Sequence, residues 1–387
     1  MSPKVALKLI ETPFLRQESQ LWSEEDLTSS HSLHYALSWP DAFPAALPEY
    51  FISKYSAKGD VILDPFSGSG TTALQSKLMG RIPLASDLHP VAVKVTRAKL
   101  APADLTEVTL RLQLANLKRP VNVAAFNKTF SEFYDIATYR ELLNLRDMIN
   151  SNNDRVASFI ETIALGLLHG HSAGYFSVYT NPQISLIPEE QLDLNLKRAQ
   201  APDYRAVVPR ILRKTAVVLR DGISSAQRNS KLDGQCVLSD ARKLDYVADS
   251  SVNLVVTQPP LPGEKLYSTD QWLRMWFARV QAPRGFEAES PIPNLETWLD
   301  FMNEVLFELA RVVVPGGRVV LDLAELRLEG RKILLDEEVH KLIEEALQGF
   351  WQPEGILIHR RKSPQLDGTR LRREEEKGHR IFIIRRR

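Results

Sequence analysis

Nine residues near the start of the chain have the composition of a ligand-binding turn. Residues 64–72 read D-P-F-S-G-S-G-T-T, follow the apolar run at 61–63 and precede helix-forming residues at 73–79. This order predicts a buried strand, a turn and a helix. Glycines allow the backbone to approach a bound molecule, and a helix start offers unpaired N–H groups to it. The stretch therefore predicts a small-molecule site, although a helix-start turn that binds nothing is the simple alternative.

Two known phosphate-binding patterns can be compared with this turn. A P-loop needs a Lys directly after its last glycine, whereas Thr71 follows Gly70. The dinucleotide pattern G-x-G-x-x-G/A is formally met by Gly68, Gly70 and Ala73. Against it, Asp64 at the end of the strand would repel a pyrophosphate and suits a cationic ligand that carries an amino group. An NAD-dependent oxidoreductase remains an alternative that nicotinamide binding would reveal.

Residues 64–72 resemble motif I, D-P-F-x-G-S-G-T-T, of the amino-methylating DNA methyltransferases, which modify adenine N6 or cytosine N4. The resemblance implies S-adenosyl-L-methionine as the cofactor, DNA as the substrate and a Rossmann-like class I methyltransferase sheet. Within the motif it implies that the cofactor is bound by Asp64, Pro65, Phe66, Gly68, Gly70 and Thr71.

Two further acidic residues follow predicted strands. Asp87 follows residues 82–86, and Asp240 follows the run that begins at Cys236. Ligands of open α/β sheets lie outside the carboxyl ends of the strands, where Asp87 can accept the hydroxyls of a ribose. The resemblance implies that Asp240 binds the amino group of the cofactor adenine. It also implies that residues 39–43, W-P-D-A-F, pack the methionine end, although a proline-marked entry to a core helix is the alternative.

The catalytic motif IV of the family, an Asp, Asn or Ser followed by Pro-Pro and an aromatic residue, is resembled by Gln258, Pro259, Pro260 and Leu261. An exocyclic amino group is a poor nucleophile because its lone pair is delocalised into the ring. A side-chain oxygen and the first proline carbonyl that accept its two hydrogens favour a lone pair aimed at the methyl donor. The aromatic residue stacks on the flipped-out base.

This sequence departs from motif IV at both ends. The Gln258 amide can accept a hydrogen bond, but it reaches one methylene farther than Asn. Leu261 has no aromatic face, which forfeits about 1 to 3 kcal/mol of base stacking. Tyr267, Trp272 and Trp276 are candidates for a replacement ring, although their spacing is more typical of core residues. The departures leave turnover open and favour, as an alternative function, an impaired paralogue that binds cofactor and nucleic acid.

The elements that must position these motifs are those of an α/β protein. We expect a methyltransferase core from residues 31–100 and 236–387, interrupted by a mostly helical insertion at 101–235, with 1–30 unassigned. Helical spacing is found at 131–149, 154–169, 205–220 and 298–312. Strands at 355–359 and 380–384 are expected to finish the sheet as a hairpin.

Basic residues in the insertion are candidates for nucleic-acid contacts. Four fall roughly on one helical face: Arg210, Arg213, Lys214 and Arg220. Such a face neutralises phosphates in nucleic-acid enzymes, and is otherwise a solvated surface. From His359 onward eleven Lys or Arg residues stand against four Asp or Glu, with a basic Pro/Gly loop that is either a phosphate contact or a solubilising terminus.

Composition excludes several classes of protein. The chain has 387 residues, a net charge of +1 and a single cysteine, Cys236, so a disulfide framework and a multi-cysteine zinc site are excluded. His169 and His171 have no nearby Cys or paired carboxylates, so we expect no metal. The absence of a long apolar run or a signal-peptide pattern predicts a cytoplasmic protein without a membrane segment.

The sequence therefore predicts an S-adenosylmethionine-dependent DNA methyltransferase of the amino-methylating type. RNA is a possible substrate, and a restriction endonuclease a possible partner in a restriction-modification system. The sequence leaves open adenine versus cytosine, the recognition sequence and the oligomeric state.

Overall fold

The computed structural model describes residues 15–18, 21, 30–40, 42–263, 270–281, 292–328, 331–359 and 379–387. The strands are β1 (Leu15–Glu18), β2 (Val61–Asp64), β3 (Ile82–Asp87), β4 (Gln235–Leu238), β5 (Val252–Thr257), β6 (Val313–Leu323), β7 (Glu325–Leu328), β8 (Arg331–Leu334), β9 (Trp351–His359) and β10 (His379–Arg386). The α-helices are α1 (Ala46–Tyr55), α2 (Thr71–Leu78), α3 (Pro90–Leu100), α4 (Leu105–Gln113), α5 (Ile136–Asn152), α6 (Arg155–Leu165), α7 (Pro188–Arg198), α8 (Val207–Val218), α9 (Ser225–Arg228), α10 (Trp272–Ala278), α11 (Leu295–Val312) and α12 (Leu335–Leu342).

The main sheet has the strand order β1-β9-β10-β6-β5-β2-β3-β4. Neighbouring strands are parallel from β6 through β5, β2 and β3 to β4, whereas β10 runs antiparallel to both β6 and β9. The predicted α/β, Rossmann-like class I methyltransferase sheet is therefore confirmed. The predicted closing hairpin is also confirmed, as β9 and β10.

The central strands are buried on both faces because their apolar runs are covered by helices. On one face Leu254 and Val256 of β5 pack in a cluster with Phe51 of α1. On the other face Val255 packs in a cluster that includes Leu306 of α11. Short, continuous apolar runs are typical of parallel strands covered in this way, and the arrangement leaves the carboxyl ends of the strands free to carry loops.

Helices occupy the chain between β3 and β4. The helices expected at 131–149, 154–169 and 205–220 are confirmed as α5, α6 and α8, with ends shifted by a few residues. They share one apolar cluster with Leu33, with residues of α3 and with Leu273 of α10. The division into a core and an insertion at 101–235, and a recognition role for the insertion, stay predictions.

One strand lies in the segment to which the sequence assigned no role. Residues 15–18 form β1, which pairs in parallel with residues 355–358 of β9 at the edge of the sheet. Its sequence, L-R-Q-E, has no apolar alternation that would mark a strand. Pairing with β9, which is distant in the sequence, determines this strand.

Candidate active site

A single cleft collects most of the predicted residues. It has a volume of about 560 Å³ and opens where the loops leave the carboxyl ends of β2, β3, β4 and β5. Of the residues predicted from the sequence, those that line it are Pro65, Phe66, Gly68, Thr71, Asp87, Asp240, Gln258, Pro259, Pro260 and Leu261. A cleft of this size falls in the range of small-molecule and cofactor sites.

The turn between β2 and α2 is built on two glycines with positive φ. Gly68 has φ +47° and Gly70 has φ +76°, a backbone region that side chains disfavour. The N–H of Gly70 donates to the carbonyl of Ser67 at 2.6 Å, and the N–H of Ser67 donates to Ser86 on the neighbouring strand at 2.9 Å. The turn is therefore closed on itself and attached to β3, which fixes the backbone that faces the cleft.

Asp64 and Gly70 are placed behind the lining of the cleft, which corrects their predicted direct contact with a ligand. Asp64 is only 1% exposed, and its Oδ1 accepts from the Thr257 hydroxyl at 2.6 Å and from the Phe66 N–H at 3.2 Å. Burial raises the pKa of Asp64 to about 7. The carboxyl joins the ends of β2 and β5, so it shapes the turn from behind.

Asp87 combines two roles at the end of β3. Its Oδ2 accepts from the Gly68 N–H and its Oδ1 from the His89 N–H, both at 2.8 Å, while the residue also lines the cleft. Burial raises the pKa of Asp87 to about 6. The carboxylate thus fixes the glycine turn and presents lone pairs to the cleft, as a ribose acceptor would.

The affinity for S-adenosylmethionine is expected to weaken as the pH falls through about 6. Protonation of Asp87 removes an acceptor for ribose hydroxyls, so a ligand that requires the carboxylate loses up to about tenfold in affinity per pH unit below this pKa. Calorimetric titrations between pH 5 and 8 measure the effect. The Asp87→Asn variant, which cannot titrate, is expected to show a flat profile over the same interval, and an unchanged slope in this variant would assign the effect to another group.

The segment before α1 forms another wall of the cleft. Trp39, Pro40, Ala42 and Phe43 line it, while Asp41 lies outside the described residues. The Trp39 Nε1 lies 3.4 Å from the position that a Cβ on Gly68 would take. The indole therefore packs directly on the glycine turn. The predicted packing of the cofactor's methionine end by this segment stays a prediction.

The far end of the cleft contains residues that the sequence did not reveal. Asp240 binds the Arg242 guanidinium through both oxygens, at 2.8 Å and 3.1 Å for the shortest contacts, and Arg242 also contacts Glu304 at 3.3 Å. Phe301 lies with its ring centroid 5.9 Å from that of Phe66. Phe301 and Glu304 come from α11, far along the chain, and their i, i+3 spacing indicates a shared face only once the packing of α11 is known.

The Pro-Pro loop is attached to the same helix by a buried indole. Trp298 of α11 is fully buried, and its Nε1 donates to the Pro260 carbonyl at 2.7 Å. Gln258 lines the cleft next to this loop, and Leu261 is half-buried against the apolar cluster beneath α11. The hydrogen bond fixes the loop that presents Gln258 and the Pro259 carbonyl.

Replacing Trp298 with Phe is expected to lower kcat about tenfold with little change in the Kd for the cofactor. Phe keeps most of the buried apolar surface, but it leaves the Pro260 carbonyl without its donor, a loss of about 1 to 3 kcal/mol that loosens the loop. Steady-state methylation kinetics and denaturant unfolding measure the two effects.

A matched control for this change is Trp351→Phe. Trp351 is also fully buried, and its Nε1 donates to the Leu306 carbonyl of the same helix at 3.1 Å, but it does not line or support the Pro-Pro loop. It should lose similar stability without loss of kcat. Equal loss of kcat in both variants would contradict a specific role for Trp298.

The candidates for a replacement aromatic ring do not reach the cleft. Trp272 donates from Nε1 to the Leu186 carbonyl at 2.9 Å, and Trp276 packs on Phe130 with a centroid distance of 4.5 Å. Both belong to the packing of the insertion, so their prediction as surrogate rings is wrong. Tyr267 lies outside the described residues. The ring that the cleft does contain is Phe301.

The predicted basic face is smaller than its sequence indicates. Arg210 donates to the carbonyls of Ala173 and Ala206, and Lys214 donates to the Tyr35 carbonyl at 2.7 Å. Arg213 and Arg220 are exposed. The structure thus uses two of the four cations to hold the main chain, and contacts of the remaining two with nucleic acid stay a prediction.

The histidine pair at 169 and 171 has a structural explanation. His169 is 1% exposed, with Nδ1 at 2.8 Å from the Asn181 carbonyl and Nε2 at 3.2 Å from the Ser185 hydroxyl. Burial lowers the pKa of His169 to about 3, so the ring is neutral. Within the described ranges no group of three His, Cys, Asp or Glu residues has the arrangement of a metal site.

Two predictions from the sequence concern parts of the chain that can be treated only briefly. The basic loop that contains Arg360, Arg361, Lys362, Arg370, Arg372 and Arg373 lies outside the described residues. Among the helices that the structure does describe, none has both the length and the apolarity that a membrane crossing requires.

Comparison with known proteins agrees with the site. Residues 7–97, which include the glycine turn and Asp87, match the family described as DNA methylase. The chain is 34% identical over 89 residues to the type II methyltransferase M.MjaII of Methanocaldococcus jannaschii, which covers 23% of this chain and 16% of that protein. It is 36% identical over 64 residues to the type II methyltransferase M.BsoBI of Geobacillus stearothermophilus, which covers 16% of this chain and 13% of that protein.

A solved structure with a similar fold is a DNA modification methylase from Thermus thermophilus complexed with S-adenosyl-L-methionine. It is 23% identical, with a TM-score of 0.23, and the match covers 38% of this chain and 53% of that chain. So distant a likeness adds nothing to the fold, which the strand order defines by itself.

The fold and the cleft define the class I methyltransferase architecture. Within that class, the resemblance to the amino-methylating DNA methyltransferases is confirmed for residues 7–97. The chain matches less than a fifth of the length of the two type II enzymes named above.

Proposed function

We propose that this protein transfers a methyl group from S-adenosyl-L-methionine to an exocyclic amino group in DNA, at adenine N6 or cytosine N4. The observation that carries the proposal is the meeting of the glycine turn, Asp87 and the Gln258-Pro-Pro loop in one cleft. The DNA methylase match over residues 7–97 supports it.

The residues of the cleft fit the cofactor chemically. Asp87 presents a carboxylate beside the glycine backbone, where ribose hydroxyls can donate to it. The rings of Phe66 and Phe301 and the side chain of Leu261 provide apolar walls that suit an adenine. When bound, S-adenosylmethionine supplies an electrophilic methyl group on its sulfonium.

The chain's own contribution to the reaction is to orient the amine. The Gln258 amide oxygen and the Pro259 carbonyl would accept its two hydrogens, so the nitrogen lone pair points toward the methyl donor. The prolines restrict the loop, and the Trp298 hydrogen bond to Pro260 holds it at α11. As the new N–C bond forms, the amine loses one proton, for which a neutral amide is an orienting acceptor and not a base.

A second candidate function is favoured by Gln258 and Leu261, which depart from the motif of the family. In that case the protein binds cofactor and nucleic acid without turnover. We further propose that Arg213 and Arg220 of the helical insertion contact the nucleic acid. RNA as an alternative substrate and a restriction endonuclease as a partner are secondary parts of the same proposal.

A label-transfer assay tests the proposal directly. Purified protein is incubated with tritiated S-adenosylmethionine and either unmethylated DNA or RNA, and the modified base is mapped. Label in DNA supports the proposed enzyme, whereas label in RNA alone corrects the substrate. Cofactor binding without label in either polymer supports the impaired paralogue. Parallel calorimetry with NAD completes the comparison, since binding of NAD alone would overturn the assignment.

A further inference from the structure

Lys99 of α3 is a buried ammonium that contacts two segments of the cleft. The residue is 1% exposed, and its Nζ donates to the Ser69 carbonyl at 2.7 Å and to the His34 carbonyl at 3.3 Å. Ser69 lies in the glycine turn, whereas His34 lies in the short 3-10 turn at Ser32–Ala36 that leads into Trp39. One side chain thus links the turn to the Trp39 wall.

The charge on Lys99 is unusual because no carboxylate pairs with it among the described residues. Burial, with a smaller contribution from the nearby Lys214, lowers the pKa of Lys99 to about 7. By contrast Lys77, which is 2% exposed, binds Asp233 at 2.9 Å. A buried ammonium that only carbonyls compensate is costly. What it provides is directed hydrogen bonds to two backbone positions.

The glycine turn needs support of this kind. Ser69 lies between Gly68 and Gly70, both of which have positive φ, so its peptide groups do not follow a regular helix or strand. On the same helix as Lys99, Thr96 lies so close to the turn that a Cβ on Gly70 would approach its Oγ1 to 2.6 Å. Helix α3 therefore supports the turn at two positions one helical turn apart.

The other contact is equally anchored. The His34 ring is hydrogen-bonded through Nε2 to Gln75 Oε1 of α2 at 3.0 Å. The 3-10 turn is thereby attached to the helix that the glycine turn begins. Displacement of the His34 carbonyl would move the chain that leads to Trp39, whose indole packs on Gly68.

We propose that Lys99 is a positioning residue of the cofactor site, whose ammonium holds the Ser69 peptide and the Trp39 segment in the relative placement that binds S-adenosylmethionine. The inference rests on the proposed function. It assigns to Lys99 no contact with the cofactor.

The test compares Lys99→Met with Lys77→Met, since both remove a buried ammonium of similar exposure. Hydrogen exchange without ligand is expected to be about tenfold faster in residues 31–43 and 64–72 of Lys99→Met, and unchanged there in Lys77→Met. The Kd and KM for S-adenosylmethionine are expected to rise about tenfold in Lys99→Met, with kcat within about threefold of wild type. Lys99→Arg, which can donate to both carbonyls, should recover most of the affinity.

The outcomes separate this inference from the proposed function. Equal exchange and equal affinity in wild type and Lys99→Met would overturn the role of Lys99 and leave the proposed function intact. Failure of the wild type to bind S-adenosylmethionine would overturn the proposed function and this inference with it. Thermal unfolding verifies that each variant folds, and Lys99→Gln, expected to bind at least about threefold more weakly than wild type, replaces Met if that variant does not fold.

Discussion

Replacing Gln258 with Ala is expected to lower kcat about 100- to 1,000-fold and to change the Kd for S-adenosylmethionine by less than about twofold. Within the tetrapeptide 258–261, only Gln258 has a side chain that can accept a hydrogen bond. Its loss leaves the Pro259 carbonyl as the remaining acceptor for the amine. Because the cofactor is expected to bind mainly at the glycine turn and Asp87, binding should survive. Single-turnover label transfer and calorimetry measure the two quantities.

The control for this variant is Gln235→Ala, at an exposed position on β4 outside the lining of the cleft. It should behave as wild type in both measurements. A Gln258→Ala protein with the kcat of wild type would refute the orienting role. The double change Gln258→Ser with Leu261→Tyr, which restores the family's residue types, is expected to raise kcat if the natural protein is impaired, through a shorter acceptor and about 1 to 3 kcal/mol of base stacking.

Replacing Gly70 with Ala is expected to destabilise the protein by about 2 to 5 kcal/mol and to weaken S-adenosylmethionine binding at least about tenfold. The φ of Gly70 is +76°, and its added Cβ would meet the Thr96 Oγ1 at 2.6 Å and the Thr96 Cα at 3.1 Å. The backbone cannot yield without moving the glycine turn away from α3. Denaturant unfolding and calorimetry measure the two losses.

Gly80→Ala separates the backbone strain from the steric clash. Gly80 has nearly the same φ, +79°, but its added Cβ would meet only the Lys58 side chain, at 3.6 Å. We expect it to lose about 1 to 2 kcal/mol and to keep its cofactor affinity. If Gly70→Ala costs no more than Gly80→Ala, the close approach of α3 does not constrain the turn.

Prediction from the sequence succeeded where the signal is local. The strand, turn and helix around Gly68 follow from an apolar run, glycines and helix formers that are adjacent in the chain. Asp87 and the Pro-Pro loop were also found, because a residue directly after a parallel strand must emerge at the carboxyl edge of the sheet. These rules require only the position of a residue relative to its own strand.

Prediction was incomplete where a residue's role depends on what packs against it. Asp64 also follows from the strand rule, but Thr257 of the neighbouring strand captures its carboxyl behind the lining. Two of the four cations of the predicted basic face donate to main-chain carbonyls, which no helical wheel reveals. Side chains of α11 enter the cleft only because the helix packs beside β5.

The sequence by itself determined that this chain has a methyltransferase-type glycine turn, acidic strand ends and a degenerate Pro-Pro motif at one edge of a parallel sheet. Tertiary structure alone decided which groups hold that edge in place, namely Trp298 on the Pro-Pro loop and Lys99 beneath the glycine turn. The physical reason is that the motifs and their strands are marked by patterns of short range in the chain. The supporting hydrogen bonds join residues 30 to 65 positions apart, and only the packed fold brings these together.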